Sequence, residues 1–129
     1  MNKALVYSKF NNAGISPKKV APVMDLVRGK EAEQAKLVLS FDRTKAGAML
    51  LKTLKSAIAN AKNNLNINVD DLFISHLQVN EGKKTKTGMF AAKGRFRPIL
   101  KRRSHIILGL SKKEKKSVSG EAPSSGGRK

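Results

Sequence analysis

Nine cationic side chains, Lys83, Lys84, Lys86, Lys93, Arg95, Arg97, Lys101, Arg102 and Arg103, follow one another with no acid among them. Burying unpaired charge is too costly for such a stretch to join a hydrophobic interior. It has to lie outside the core. Apolar segments flank it on both sides: Leu72-Phe73-Ile74-Ser75-His76-Leu77-Gln78-Val79 before, His105-Ile106-Ile107-Leu108-Gly109-Leu110 after. Each reads as a strand. Paired antiparallel, 72 opposite 110 and 79 opposite 103, they centre the turn on residue 91, within Gly88-Met89-Phe90-Ala91-Ala92-Lys93-Gly94. On the returning strand Arg95, Arg97, Lys101 and Arg103 share a face with Ile99, while Phe96, Pro98, Leu100 and Arg102 share the other. A ribbon with an apolar base and a cationic outer half is predicted, reaching roughly 30 Å for about ten residues per arm. An isolated ribbon is marginal in water, so something anionic is expected to hold it.

The whole chain repeats that bias. Its 129 residues carry 27 Lys and Arg against 9 Asp and Glu, a net charge of +18. The length suits one domain, and a 40% hydrophobic share is enough for a core. The excess charge points to a polyanion without choosing among RNA, DNA and an anionic membrane. No stretch approaches the ~20 apolar residues that span a bilayer. Residues 1–10 lack a long apolar segment with a cleavage site, so an intracellular, non-membrane protein is expected. With no Cys, thiol catalysis, disulfides and Cys-based zinc sites drop out, and two His make an imidazole metal site improbable. Phosphate oxygens suit the cations that remain: Arg offers a planar fork, Lys a mobile point charge, and both displace condensed counterions.

The rest of the chain supplies the body. Residues 3–10 predict a short strand. Ser16-Pro17 marks a helix start, and Val20, Val23, Met24 and Val27 follow at helical spacing before Gly29. Pro22 predicts a kink or a late start there. A second helix is expected over Glu31–Leu39. Asp42 or Thr44 caps the longest helix, to about Asn63, with Ala46, Leu50, Leu54, Ala57, Ile58 and Ala61 on its buried stripe. Lys45, Lys52, Lys55 and Lys62 read as its solvated face. The predicted domain covers 1–110, with the extended hairpin at about 80–104. A disordered basic tail, rich in Ser and Gly, is expected over 111–129.

Chemistry is hard to find. Gly82-Lys83-Lys84-Thr85-Lys86-Thr87-Gly88 lacks phosphate-loop spacing and leads into no helix. His76 and His105 fall in the two paired strands and suit hydrogen-bonded structural roles. Asp70-Asp71 reads as a turn, and Glu81 as a local partner for a hairpin cation. No acid–base pair stands out, so no enzyme, metal or cofactor is expected. A free architectural DNA binder and an RNA-modifying enzyme are the rival readings.

Several ordered segments resemble large ribosomal subunit protein twenty-two, bacterial type, over about residues 3–111. Ser16-Pro17-Lys18-Lys19-Val20 and Asp25-Leu26-Val27-Arg28-Gly29-Lys30 resemble its first helix, and Ser56-Ala57-Ile58-Ala59-Asn60-Ala61 its long helix. Val79-Asn80-Glu81-Gly82, Ala92-Lys93-Gly94-Arg95, Lys101-Arg102 and Ser104-His105-Ile106 resemble its hairpin and C-terminal signature. The tip departs from the pattern, with Phe90-Ala91 where Pro then Arg is usual, and Ala21-Pro22 replaces the common Arg-Leu. The resemblance implies an α+β fold, three helices packed on a small antiparallel sheet, with a long protruding β-hairpin. It implies a structural constituent of the large ribosomal subunit that binds its rRNA and supports assembly. The tip, Gly88 to Gly94, would line the polypeptide exit tunnel near large-subunit protein four, with the nascent polypeptide passing. Other large-subunit proteins would be neighbours, in the cytoplasm or in a plastid. Lys18, Lys19, Arg28 and Lys30 of the first helix would join the nine hairpin cations as rRNA-binding residues.

Overall fold

Ile106, Leu108 and Leu110 are fully buried and alternate along one strand, which fixes the middle of the molecule. The computed structural model describes residues 3–113. In chain order they form β1 (Val6–Ala13), α1 (Pro17–Val27), α2 (Ala32–Phe41), α3 (Lys45–Leu65), β2 (Leu72–Glu81), β3 (Thr85–Phe90), β4 (Phe96–Lys101) and β5 (Ser104–Lys112). Short 3-10 turns occupy Val69–Asp71 and Ala92–Gly94. One antiparallel sheet has the order β1-β5-β2, and β3 and β4 make a second, two-stranded sheet. The α+β architecture expected from the sequence is the one observed.

The helices cover one face of the three-stranded sheet. Val6, Leu72, Ile74 and Leu77 join the β5 residues on that face and meet Val20, Met24, Leu39, Leu50 and Leu54. A bulge in β2 lies between Ile74 and His76. It shifts the alternation by one residue, so Leu77 rather than His76 turns inward. The register is already two residues from the simple pairing before the bulge, with Leu72 facing Lys112 and Ile74 facing Leu110. The bulge adds one more, so that Val79 faces Ile106. In β1 the register shifts between Phe10 and Ala13, with Asn12 at a φ of 56°. That strand begins three residues later than residues 3–10 suggested and runs on to Ala13.

Helix α1 starts at Pro17 and continues through Pro22, so the late start is not observed. Pro22 lies on the exposed side, and its missing N–H would have bonded only to Lys18 in the first turn. Buried Val20, Val23, Met24 and Val27 hold the helix down. The cap of α3 is Thr44, whose Oγ1 accepts from the Gly47 N–H at 3.1 Å. Asp42 sets that cap: its carboxylate accepts from the Thr44 N–H at 3.0 Å and the Thr44 hydroxyl at 2.9 Å. Asn66, in the left-handed region, ends the helix. Strand β5 extends through Lys112, and the Lys113 N–H donates to the Asp71 carbonyl at 2.6 Å. The body therefore continues past residue 110; residues 114–129 of the expected tail lie outside the described residues.

Candidate nucleic-acid interface

Every side chain of β3 and β4 is exposed, so the second sheet is an arm with no buried residue of its own. Its register runs from Thr85 opposite Lys101 to Phe90 opposite Phe96. Residues paired across an antiparallel ribbon share a face. Lys86, Gly88, Phe90, Phe96, Pro98 and Leu100 thus form one side; Thr85, Thr87, Met89, Arg97, Ile99 and Lys101 form the other. Both faces carry cations, as the composition required. The turn centres on Lys93 rather than residue 91, two positions later than the sequence pairing placed it. Gly88, Met89 and Phe90 accordingly belong to β3, and Ala91 to Arg95 make the tip.

Two local devices shape that tip. The Ala91 N–H donates to the Arg95 carbonyl at 2.6 Å, and Lys93 and Gly94 both take positive φ, 60° and 73°. Below the turn, Phe90 and Phe96 meet edge to face, ring centres 6.1 Å apart and planes 72° apart. The Phe96 ring lies over Gly88, where a Cβ atom would stand 2.1 Å from ring carbon Cζ. Only glycine lets the ring approach so closely.

At the root the arm is tied by backbone. The Gly82 N–H donates to the Arg103 carbonyl at 2.7 Å, and Arg103 Nη1 to the Asn12 carbonyl at 3.4 Å. Lys84 and Glu81 form an ion pair at 3.9 Å, with the Glu81 side chain 69% exposed. Such a pair contributes little. Among the described residues no other arm cation has a carboxylate partner.

The first-helix cations divide. Lys18, Lys19 and Lys30 are exposed. Arg28 is exposed too, but its Nη1 donates to the Leu77 carbonyl at 2.9 Å, which pins the end of α1 to β2, and its Nε lies 3.8 Å from Asp25 on the same helix. Lys19 joins Lys101, Arg102 and Arg103 around a cleft of about 610 Å³ between the body and the root of the arm. Lys45, assigned by spacing to a solvated face, lines the same cleft. It was missed because the contact is tertiary: its Nζ donates to the Gly14 carbonyl, 31 residues away, at 2.8 Å.

His76 and His105 lie on neighbouring strands but do not meet. His76 Nε2 is 3.2 Å from Gln78 Oε1, and His105 Nδ1 accepts from the Asn12 N–H at 3.1 Å. Among the described residues no group of three metal-ligating side chains gathers, and no helix is long and apolar enough to cross a membrane.

Body, arm and charge define a basic α+β protein with an exposed two-stranded extension. Residues 8–111 match the profile of the family described as ribosomal protein L22p/L17e. A relative from Clostridium novyi (strain NT), "Large ribosomal subunit protein uL22", is 44% identical over 94 residues, covering 73% of this chain and 85% of that protein. The chain belongs to this family of structural proteins of the large ribosomal subunit.

Proposed function

We propose that the arm and the adjoining start of α1 bind large-subunit ribosomal RNA and so support assembly of the subunit. One observation supports this reading above all: eight of the nine arm cations have no carboxylate partner among the described residues, and the ninth has an exposed one. Phosphates supply the missing counter-charge, and binding releases condensed cations from the RNA. Recognition is by backbone and shape, as for folded RNA generally. Lys18, Lys19 and Lys30 on the body, with Lys83, Lys84, Lys86, Lys93, Arg95, Arg97, Lys101, Arg102 and Arg103 on the arm, take phosphate contacts in this reading. Arg28 contributes mainly by holding α1 against β2.

The tip reaches the wall of the polypeptide exit tunnel, near large-subunit protein four, where the nascent chain passes. Phe90, 84% exposed, is then the side chain that touches RNA or tunnel wall where Pro-Arg is usual. The protein works within the large subunit, in the cytoplasm or a plastid, with other large-subunit proteins as neighbours. Competition binding tests the assignment. Labelled large-subunit rRNA should be displaced by unlabelled rRNA at far lower concentration than by duplex DNA of equal length. Equal competition would favour a general nucleic-acid binder.

A further inference from the structure

We infer that the cleft at the root of the arm is a separate seat for the sugar–phosphate backbone of RNA, and that filling it fixes the direction of the arm. The inference rests on the RNA-binding reading above and adds a site at the junction, which the root cations of the arm make only together with Lys19 and Lys45 of the body. Five cations meet in the cleft from three distant stretches: Lys19 from α1, Lys45 from α3, and Lys101, Arg102 and Arg103 from the arm's return. None has a carboxylate within ion-pair distance among the described residues. Bringing like charges together destabilises the free protein unless an anion neutralises them.

Two of the five are already oriented by backbone. Lys45 Nζ bonds to Gly14 and Arg103 Nη1 to Asn12, yet ammonium has three donors and guanidinium five, so both retain N–H groups for a ligand. The tethers lead to Asn12, at the end of β1, and to Gly14, which opens the link from β1 to α1. Helix α1 begins beside the cleft at Ser16, whose side chain makes no capping bond, and its positive pole adds to the field. A phosphodiester strand seated here touches body and arm together. The arm's described side-chain tie to the body sits at its root, Arg103 to Asn12, while the Gly82–Arg103 bond joins the arm's own two legs, so a bridging strand limits its swing.

The absence of cysteine allows a direct test on the full chain. Spin labels placed at exposed Asn64 on α3 and exposed Ala92 at the tip, through Asn64→Cys and Ala92→Cys, report the body-to-arm distance. Large-subunit rRNA should narrow the distance distribution. Adding Lys19→Gln and Lys45→Gln should leave it broad in the RNA complex and reduce the salt slope of binding by about 2, at ~0.9 per phosphate contact. Lys86→Gln with Arg97→Gln, on the arm alone, should reduce the slope similarly while the distribution still narrows. If circular dichroism shows the Lys45 variant misfolded, Lys19→Gln with Arg102→Gln must give the broad result, since neither side chain has a described bond to lose. Narrowing and slope unchanged by the cleft variants would overturn the cleft while leaving RNA binding intact. No RNA binding by the parent chain would overturn the functional reading and this inference with it.

Discussion

Two glycines show how single positions set the close approaches in this protein. Gly109 is buried in the central strand beneath Tyr7 and His76, whose rings meet edge to face at 6.0 Å. A Cβ there would lie 2.6 Å from the Ala4 Cβ and 3.1 Å from both the His76 Cβ and the Tyr7 ring. Gly109→Ala should therefore destabilise the fold by about 1–3 kcal/mol, the usual range for overpacking, as urea unfolding would show. Gly88 is equally crowded, by Phe96, but it lies on an arm with no core to unfold. Gly88→Ala should expel the Phe96 ring and abolish the Phe90–Phe96 cross-peaks in a nuclear Overhauser spectrum, with the unfolding midpoint unchanged. A lowered midpoint would mean that the arm belongs to the cooperative unit. The side chains of Lys93 and Arg95 are exposed and without described partners, so replacing both by Ala should alter unfolding by no more than about 0.5 kcal/mol while weakening rRNA binding.

Body and arm differ at the scale of elements in what holds them. Helix α3 puts Leu50, Leu54, Ala57 and Ala61 fully inside, against β1 and β5, and its small Ala residues allow that approach. Leu54→Ala should destabilise by about 2–5 kcal/mol, read from the denaturation midpoint, because the cavity has nowhere to collapse among packed neighbours. The arm has hydrogen bonds but no burial, so its amides should exchange fast in the free protein while those of β5 stay protected; slow exchange in β3 and β4 would contradict the assignment. Both elements were legible in the sequence for a simple reason. The stripe on α3 and the apolar runs of β2 and β5 are periodic, and the acid-free run between them cannot be buried. The division of the ribbon into two sheets was not legible, because it depends on how residues 82–84 and 102–103 leave the ladder. The β2 bulge was equally hidden, as Ser75-His76 carries no mark of an extra residue. Lys45 escaped because periodicity places a side chain on a helix face and says nothing about which loop packs beside it.

Charge is distributed unevenly over the whole molecule, and that distribution governs how it associates. Glu31, at the N-cap of α2, pairs with Lys113, whose N–H donates to the Asp71 carbonyl in the turn that packs on that helix, and Glu33 follows in the first turn of α2. The arm has Glu81 at its base and no acid beyond. Acids thus gather on the body, and the cationic field is strongest where the arm projects, which steers a polyanion to it and raises the encounter rate at low salt. Affinity should share that dependence. Six to nine arm contacts, at about 0.7–0.9 released counterions each, give a slope of about −4 to −8 for log K against log salt. Between 50 and 200 mM salt, rRNA binding should then weaken by roughly 10²- to 10⁵-fold. A slope near zero would mean that the exposed aromatics, Phe90 and Phe96, rather than the cations, carry the affinity. Exchanging both for Leu separates the two cases. With phosphate contacts dominant the slope stays and the intercept falls modestly, whereas stacking loses about 1–3 kcal/mol per base at every salt concentration.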